Sequence, residues 1–273
     1  MKKLLITSIL LTIPWHIPMG NSAELLMNTH GHITVAPYIH GFDDSDNLYP
    51  GYRSEYNLFV DFFRYKGFIF NSLLGTTSLI SSPENSGMRL DRIRYTLTPG
   101  FRYEFPSWLV KGALHHECIH TISRPERSGS VWWNSVQLGC GTKGSYYLYL
   151  REEYNSVRDA FLNSWDAQVN IGYIIPAERT LFSGQNHDYR YEAYSIIRYH
   201  AGSFRKWALF GSLRHNSWMK KNGSFDNQTN ITLNILRRGS VHFGGFFYTY
   251  TLHDSFELDN SDGLGAVGLK ILY

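Results

Sequence analysis

The sequence is poor in charge, in cysteine and in long apolar runs, and each shortage removes a class of protein. Asp, Glu, Lys and Arg make up only 18% of its 273 residues, against roughly 25% in an average soluble domain. The net charge of +3 (26 basic against 23 acidic) falls to +1 (24 against 23) if Lys2 and Lys3 leave with a leader. So weak a field gathers no polyanion and speaks against a nucleic-acid partner. With only 2 cysteines the chain can form at most one internal disulfide. Beyond the first stretch no apolar run reaches the roughly 20 residues that a helix needs to cross a bilayer, and there is no internal repeat, low-complexity run or sign of a second domain. What is abundant is hydrophobic residues at 43%, aromatics at 16% and 24 glycines. That is enough to build a core, which excludes disorder, and it suits sheets with one wet and one oily face.

Met1 to Ala23 reads as a secretory leader. A basic start (Lys2, Lys3) precedes an apolar run from Leu4 to Ile13, which Pro14, His16 and Pro18 interrupt, and small residues follow at Gly20, Ser22 and Ala23. Cleavage is expected after Ser22 or Ala23, leaving residues 24–273 as the mature domain. No cysteine follows the apolar run, so a lipid anchor is not supported. A periplasmic protein and an outer-membrane barrel both remain open at this point.

The alternation of side chains separates them. From Arg92 to Phe105, Ile93, Tyr95, Leu97, Pro99, Phe101, Tyr103 and Phe105 fall on one face of a strand, while Arg92, Arg94, Thr96, Thr98, Arg102 and Glu104 fall on the other. Trp165 to Ile175 and Gln228 to Ile235 repeat the pattern. Membrane-spanning strands need about 9 to 11 residues, whereas strands of soluble proteins average roughly 5 to 6. A periplasmic sandwich would have shorter strands with polar outer faces. At the chain's end Val267, Leu269, Ile271 and Tyr273 alternate with Gly268 and Lys270. This resembles the closing strand of bacterial outer-membrane barrel proteins, whose terminal aromatic is read by the assembly machinery. The expectation is an all-β fold: a single transmembrane antiparallel up-and-down β-barrel of the bacterial outer membrane. Thirteen candidate strands can be marked, Tyr146 to Arg151 among them. Single-chain bacterial barrels have even strand numbers, so about twelve are expected, with Arg151 to Ser164 the least defined stretch. Arg92, Arg94, Arg102, Arg190, Arg198, Glu104, Glu192 and Asp166 would face the lumen, either neutralising one another as a plug or lining a route for anions.

Trp108 to Asn134 (W-L-V-K-G-A-L-H-H-E-C-I-H-T-I-S-R-P-E-R-S-G-S-V-W-W-N) is the segment that could carry chemistry. His116, Glu117 and His120 spell H-E-x-x-H, which on a helix would bind zinc. On an extended strand the two histidines lie roughly 13 Å apart and Glu117 points away, and the alternation favours the strand. His120 and Asn134 would then point outward to lipid on adjacent strands near the outer rim, a costly place for polar groups without a use. The segment from Gly112 to Asn134 is similar to the active hairpin of outer-membrane phospholipase A and, more loosely, of the outer-membrane lipid A deacylases. Those enzymes place a His, a Ser two positions later, and an Asn or Glu one hairpin onward. The resemblance implies His120 as general base, Asn134 as the group that orients it, outer-membrane lipids as substrate, and calcium as cofactor. It departs at Ile122, two residues after His120, where no nucleophile stands. Ser123 could serve only through a bulge; alternatively His116 and Cys118 have the right spacing, with a thiol in place of the hydroxyl. The third reading is structural: His115, His116, Trp132 and Trp133 as an interfacial girdle. Overall the candidates are a lipid acyl-ester hydrolase and a non-enzymatic narrow channel or surface barrel. A Cys118–Cys140 disulfide would need a hairpin centred on Gly129, a register that excludes the pairing of His120 with Asn134.

Overall fold

The computed structural model describes residues 23–40, 51–81, 89–121, 129–143, 165–176, 188–238, 243–255 and 263–273. The expected leader falls outside these residues except for Ala23, as do the candidate strand Tyr146 to Arg151, all of Arg151 to Ser164, and Ser123. The described chain forms twelve strands: β1 (Ala23–His40), β2 (Gly51–Tyr65), β3 (Phe68–Ser81), β4 (Arg89–Glu104), β5 (Trp108–Thr121), β6 (Gly129–Thr142), β7 (Trp165–Ile174), β8 (Tyr189–Phe204), β9 (Trp207–Lys220), β10 (Phe225–Arg238), β11 (Phe243–Asp254) and β12 (Gly265–Leu272). Each pairs antiparallel with its sequence neighbours, and β1 pairs with β12 to close the barrel. Closure leaves no strand edge, the condition for a sheet to sit in hydrocarbon, where each unpartnered backbone group costs several kcal/mol.

Local chemistry sets the turns at the end where β1 starts. Lys66 and Gly67 take φ values of 50° and 84°, the double left-handed geometry of a two-residue hairpin matched to strand twist. Phe105, Pro106 and Ser107 join β4 to β5, and Arg205 and Lys206 join β8 to β9.

The two faces segregate as the period-two pattern demands. Leu97, Phe101, Leu114, Leu138, Ile171, Leu233 and Leu269 are exposed on the outer wall, an arrangement that only an apolar surrounding makes favourable. Inside lie charge pairs. Arg102, 1% exposed, donates from Nη1 and Nη2 to the Asp61 carboxylate at 2.5 and 2.8 Å and from Nε to Glu104 at 2.8 Å. Arg94 pairs with Glu117, and Lys143 Nζ lies 3.7 Å from Glu104. Arg190 departs from the expectation: it is exposed, at the register shift between Tyr189 and Tyr191.

Boundaries differ where alternation is broken. β1 begins at Ala23, ahead of His32 where the alternation of its residues becomes readable, because Met27 takes φ 51° and the register shifts between Leu25 and Asn28, which hides the first part of the strand from a period-two reading. β9 and β10 extend to Lys220 and from Phe225 into a stretch that reads as loop, since inward-facing polar pairs such as Asn216–Gln228 (3.2 Å) replace apolar residues there. The β5–β6 register overturns the disulfide. Cys118 stands opposite Trp132, and Cys140 opposite Val110. That separation of eight positions (118 minus 110) is roughly 26 Å along a strand, where a disulfide needs Cα atoms within about 7 Å. Both thiols are free.

Candidate active site on the outer wall

The even-numbered residues of β5 and β6 point outward, and near the far end of the hairpin they include His116, Cys118, His120, Trp132 and Asn134. His116 stands directly opposite Asn134 in the ladder, and its Nδ1 lies 2.9 Å from Asn134 Oδ1. If the amide oxygen accepts there, the imidazole is held with Nδ1 protonated and Nε2 left as a base. One step along the same face, Cys118 Sγ lies 2.9 Å from His120 Nε2. Tyr95 of β4, the ladder partner of Cys118, sets its ring edgewise to His120 with centroids 5.8 Å apart. Trp132 lies 6.4 Å from His116, centroid to centroid.

The expected partnership of His120 with Asn134 therefore gives way to a different pairing. His120 stands opposite Ser130, and Asn134 belongs to His116. The four outward residues form two neighbouring pairs on one face, His116 with Asn134 and Cys118 with His120. Ser123 lies outside the described residues. Because β5 is extended, Glu117 points inward, away from both histidines, so H-E-x-x-H forms no chelate.

The inward residues of the same strands hold this outer row in place. Glu117 pairs with Arg94 and lies 3.1 Å from His115 Nε2, and Thr98 Oγ1 lies 2.8 Å from His115 Nδ1. Ile119 and Trp133 pack with Ile174, Tyr189 and Trp218 in a buried lumen cluster. Glu192 accepts hydrogen bonds from Trp133 Nε1 at 3.0 Å, Gln137 Nε2 at 2.6 Å and Ser135 Oγ. His115, Glu117, Ile119, Trp133, Ser135 and Gln137 are thus held from inside, which limits how far the outward side chains between them can wander.

A groove of about 260 Å³ opens on the outer wall beside His116, between Tyr56, Leu74, Thr76, Tyr95 and Leu97. These residues escape a sequence reading, because they come from three other strands and only the barrel's register sets them next to His116. Their one sequence signal is that all lie on the outward face.

No protein-family model matches the chain, and no curated protein matches its sequence. Solved structures do resemble it. The outer membrane phospholipase of Salmonella typhi, a dimer with bound calcium, superposes with a TM-score of 0.51 at 13% identity, over 94% of this chain and 93% of that one. Outer membrane phospholipase A of Escherichia coli gives 0.50 at 13% identity, over 91% and 93%. This is a barrel of the bacterial outer-membrane type. The likeness covers nearly the whole chain, and at this identity it establishes the barrel's fold. Among the described residues no three His, Cys, Asp or Glu side chains are placed to hold one metal ion.

Proposed function

We propose that the protein is a lipid acyl-ester hydrolase of the bacterial outer membrane, acting on outer-leaflet lipids with Cys118 as nucleophile. The observation that carries this is the 2.9 Å contact between Cys118 Sγ and His120 Nε2 on the outward wall, beside the His116–Asn134 pair. Polar groups aimed at lipid are costly unless they are used. These lie within five residues of the end of β5 at Thr121, roughly 16 Å or less of strand, within reach of lipid ester bonds when that end faces the exterior.

The chemistry follows the logic of an activated nucleophile with an oriented imidazole. His120 takes the thiol proton as Cys118 Sγ attacks the ester carbonyl. The tetrahedral adduct collapses, the carbon–oxygen bond breaks, and the departing alkoxide receives a proton from an imidazolium, leaving a lysolipid and an acyl thioester on Cys118. Water then attacks the thioester; an imidazole accepts the water's proton, the carbon–sulfur bond breaks, and the fatty acid leaves as the thiol is restored. Asn134, accepting from Nδ1, keeps His116 in the tautomer whose Nε2 is a base. The groove beside His116 is shaped for the acyl chain. A leader ending near Ser22 or Ala23 and assembly through the terminal aromatic Tyr273 fit the same location.

The test is mass spectrometry of phospholipid and of lipid A after incubation with the refolded full chain, wild type against Cys118→Ala and His120→Ala. Fatty-acid release that both substitutions abolish supports the reading. Wild-type protein without turnover on either lipid removes it and leaves the non-enzymatic channel or surface barrel.

A further inference from the structure

The groove beside His116 owes its shape to register. Along one rung of the outer wall Tyr56, Thr76, Tyr95 and Cys118 stand side by side on β2, β3, β4 and β5, and along the next stand Leu74, Leu97 and His116. Thr76 is the short member between two rings, which stand two strands apart, roughly 10 Å. The result is a slot that follows β3, with Thr76 and Leu74 as its floor, Tyr95 and Leu97 as one wall and Tyr56 as the other. Its volume of about 260 Å³ takes roughly nine methylene-sized groups at about 30 Å³ each. A hollow on a face that meets hydrocarbon fills with an acyl chain, since nothing else in that layer fits it.

The two walls are held differently. Tyr95 meets the His120 ring edgewise at 5.8 Å, so that wall adjoins the proposed nucleophile. Tyr56 is backed from the opposite side by Tyr273, just beyond β12. Two backbone hydrogen bonds tie Tyr273 to Gly31 of β1, from Gly31 N to Tyr273 O at 2.9 Å and from Tyr273 N to Gly31 O at 3.1 Å. The Tyr273 side chain then crosses Gly31. A Cβ at that position would lie 2.8 Å from the Tyr273 hydroxyl and 1.9 Å from the Asn57 carbonyl oxygen, so only glycine leaves the passage open. Beyond it the hydroxyl donates to the Asn57 carbonyl at 3.3 Å, and the ring stacks on Tyr56 with centroids 6.4 Å and planes 22° apart. Asn57 is itself fixed from the lumen, where its Nδ2 donates to Glu55 at 2.6 Å. Tyr56 therefore has Tyr273 on one side and the slot on the other.

We propose that Tyr273 is a positioning residue for the substrate's acyl chain: by holding Tyr56 upright it keeps the slot open at one width, and so makes the enzyme prefer long acyl chains to short ones. The inference rests on the hydrolase reading above. Its physical basis is orientation. A chain lying in the slot beside His116 presents its ester carbonyl to Cys118 on the neighbouring rung, whereas a chain too short to enter the slot gains no such placement.

The experiment measures fatty-acid release by mass spectrometry from two phosphatidylcholines in the same detergent micelles, one with hexadecanoyl and one with butanoyl chains, using the refolded full chain. Wild type should release the long acid faster. Tyr273→Ala should lower the long-to-short ratio of release rates by roughly tenfold, the scale on which lost orientation slows a reaction. Tyr273→Phe, which keeps the ring, should retain most of the ratio. Tyr56→Ala removes the wall itself and should lower the ratio at least as far. A purely structural role for Tyr273 would depress both rates together, so an equal loss on both lipids overturns the inference, as does an unchanged ratio in Tyr273→Ala; either result leaves the hydrolase standing. If Tyr273→Ala does not refold, an unchanged ratio in Tyr56→Ala overturns the inference in its place. Wild type that releases neither acid removes the hydrolase reading and this inference with it.

Discussion

His116 and Asn134 face each other across the β5–β6 ladder, with Nδ1 and Oδ1 2.9 Å apart on the barrel's outer surface. In the proposed hydrolase this amide orients one imidazole of the outward row, next to the Cys118–His120 pair. Asn134→Ala removes the orienting acceptor. Acyl release should fall by about tenfold to a hundredfold, in line with the roughly 1–3 kcal/mol of a lost hydrogen bond to a partly buried group. Asn134→Asp, which restores an acceptor, should recover part of it. Release rates by mass spectrometry decide, and an unchanged rate in Asn134→Ala separates His116 from the chemistry.

Cys118→Ala should lower turnover by about a thousandfold or more, and Cys118→Ser should keep a small residual rate, since the hydroxyl is a weaker nucleophile than the thiol. His120→Ala should cost on the order of 10²- to 10⁴-fold, the usual weight of general acid–base catalysis. Rapid quenching of the wild type with excess lipid should reveal acyl groups on Cys118 that hydroxylamine removes. Acyl groups found only on serine would move the nucleophile elsewhere.

Titration of the folded chain's thiols in detergent without reductant should count two, Cys118 and Cys140, both free. Cys140, exposed on the outer wall, should react fastest with a membrane-soluble maleimide. A count of zero would mean that the β5–β6 register differs from the one described.

Leu233→Arg on the outward face of β10, where the leucine is 48% exposed, should destabilise the barrel in lipid by about 2–4 kcal/mol. The same change at an exposed site facing water usually stays within about 0.5 kcal/mol. Urea unfolding in vesicles measures it, and a neutral outcome would mean that this face does not meet hydrocarbon.

Arg102→Met leaves the buried Asp61 without its cation and Glu104 with Lys143 alone, at 3.7 Å. It should cost about 3–5 kcal/mol. Adding Asp61→Leu and Glu104→Gln should return much of that loss, because the penalty lies in the stranded charge. Unfolding midpoints of the single and triple variants compare directly.

The sequence by itself determined the architecture. Strict alternation over runs longer than soluble strands need says which side chains meet lipid and which line the lumen, and it fails where a bulge breaks the period, as at Met27, or where polar pairs replace apolar residues, as at Asn216 and Gln228. It also put His116, Cys118, His120 and Asn134 on one face. It could not choose among their partners. Pairing Asn134 with His120, pairing Cys118 with Cys140, and the observed pairing of Asn134 with His116 differ by even numbers of residues, and such a slip keeps every side chain on its own face. Register is fixed by contacts between strands: Trp133 and Ile119 packing against Ile174 and Trp218, Glu192 gathering Trp133, Ser135 and Gln137, and Glu117 meeting Arg94. Those contacts join residues far apart in the chain, so only the closed barrel decided which imidazole meets the amide and which meets the thiol.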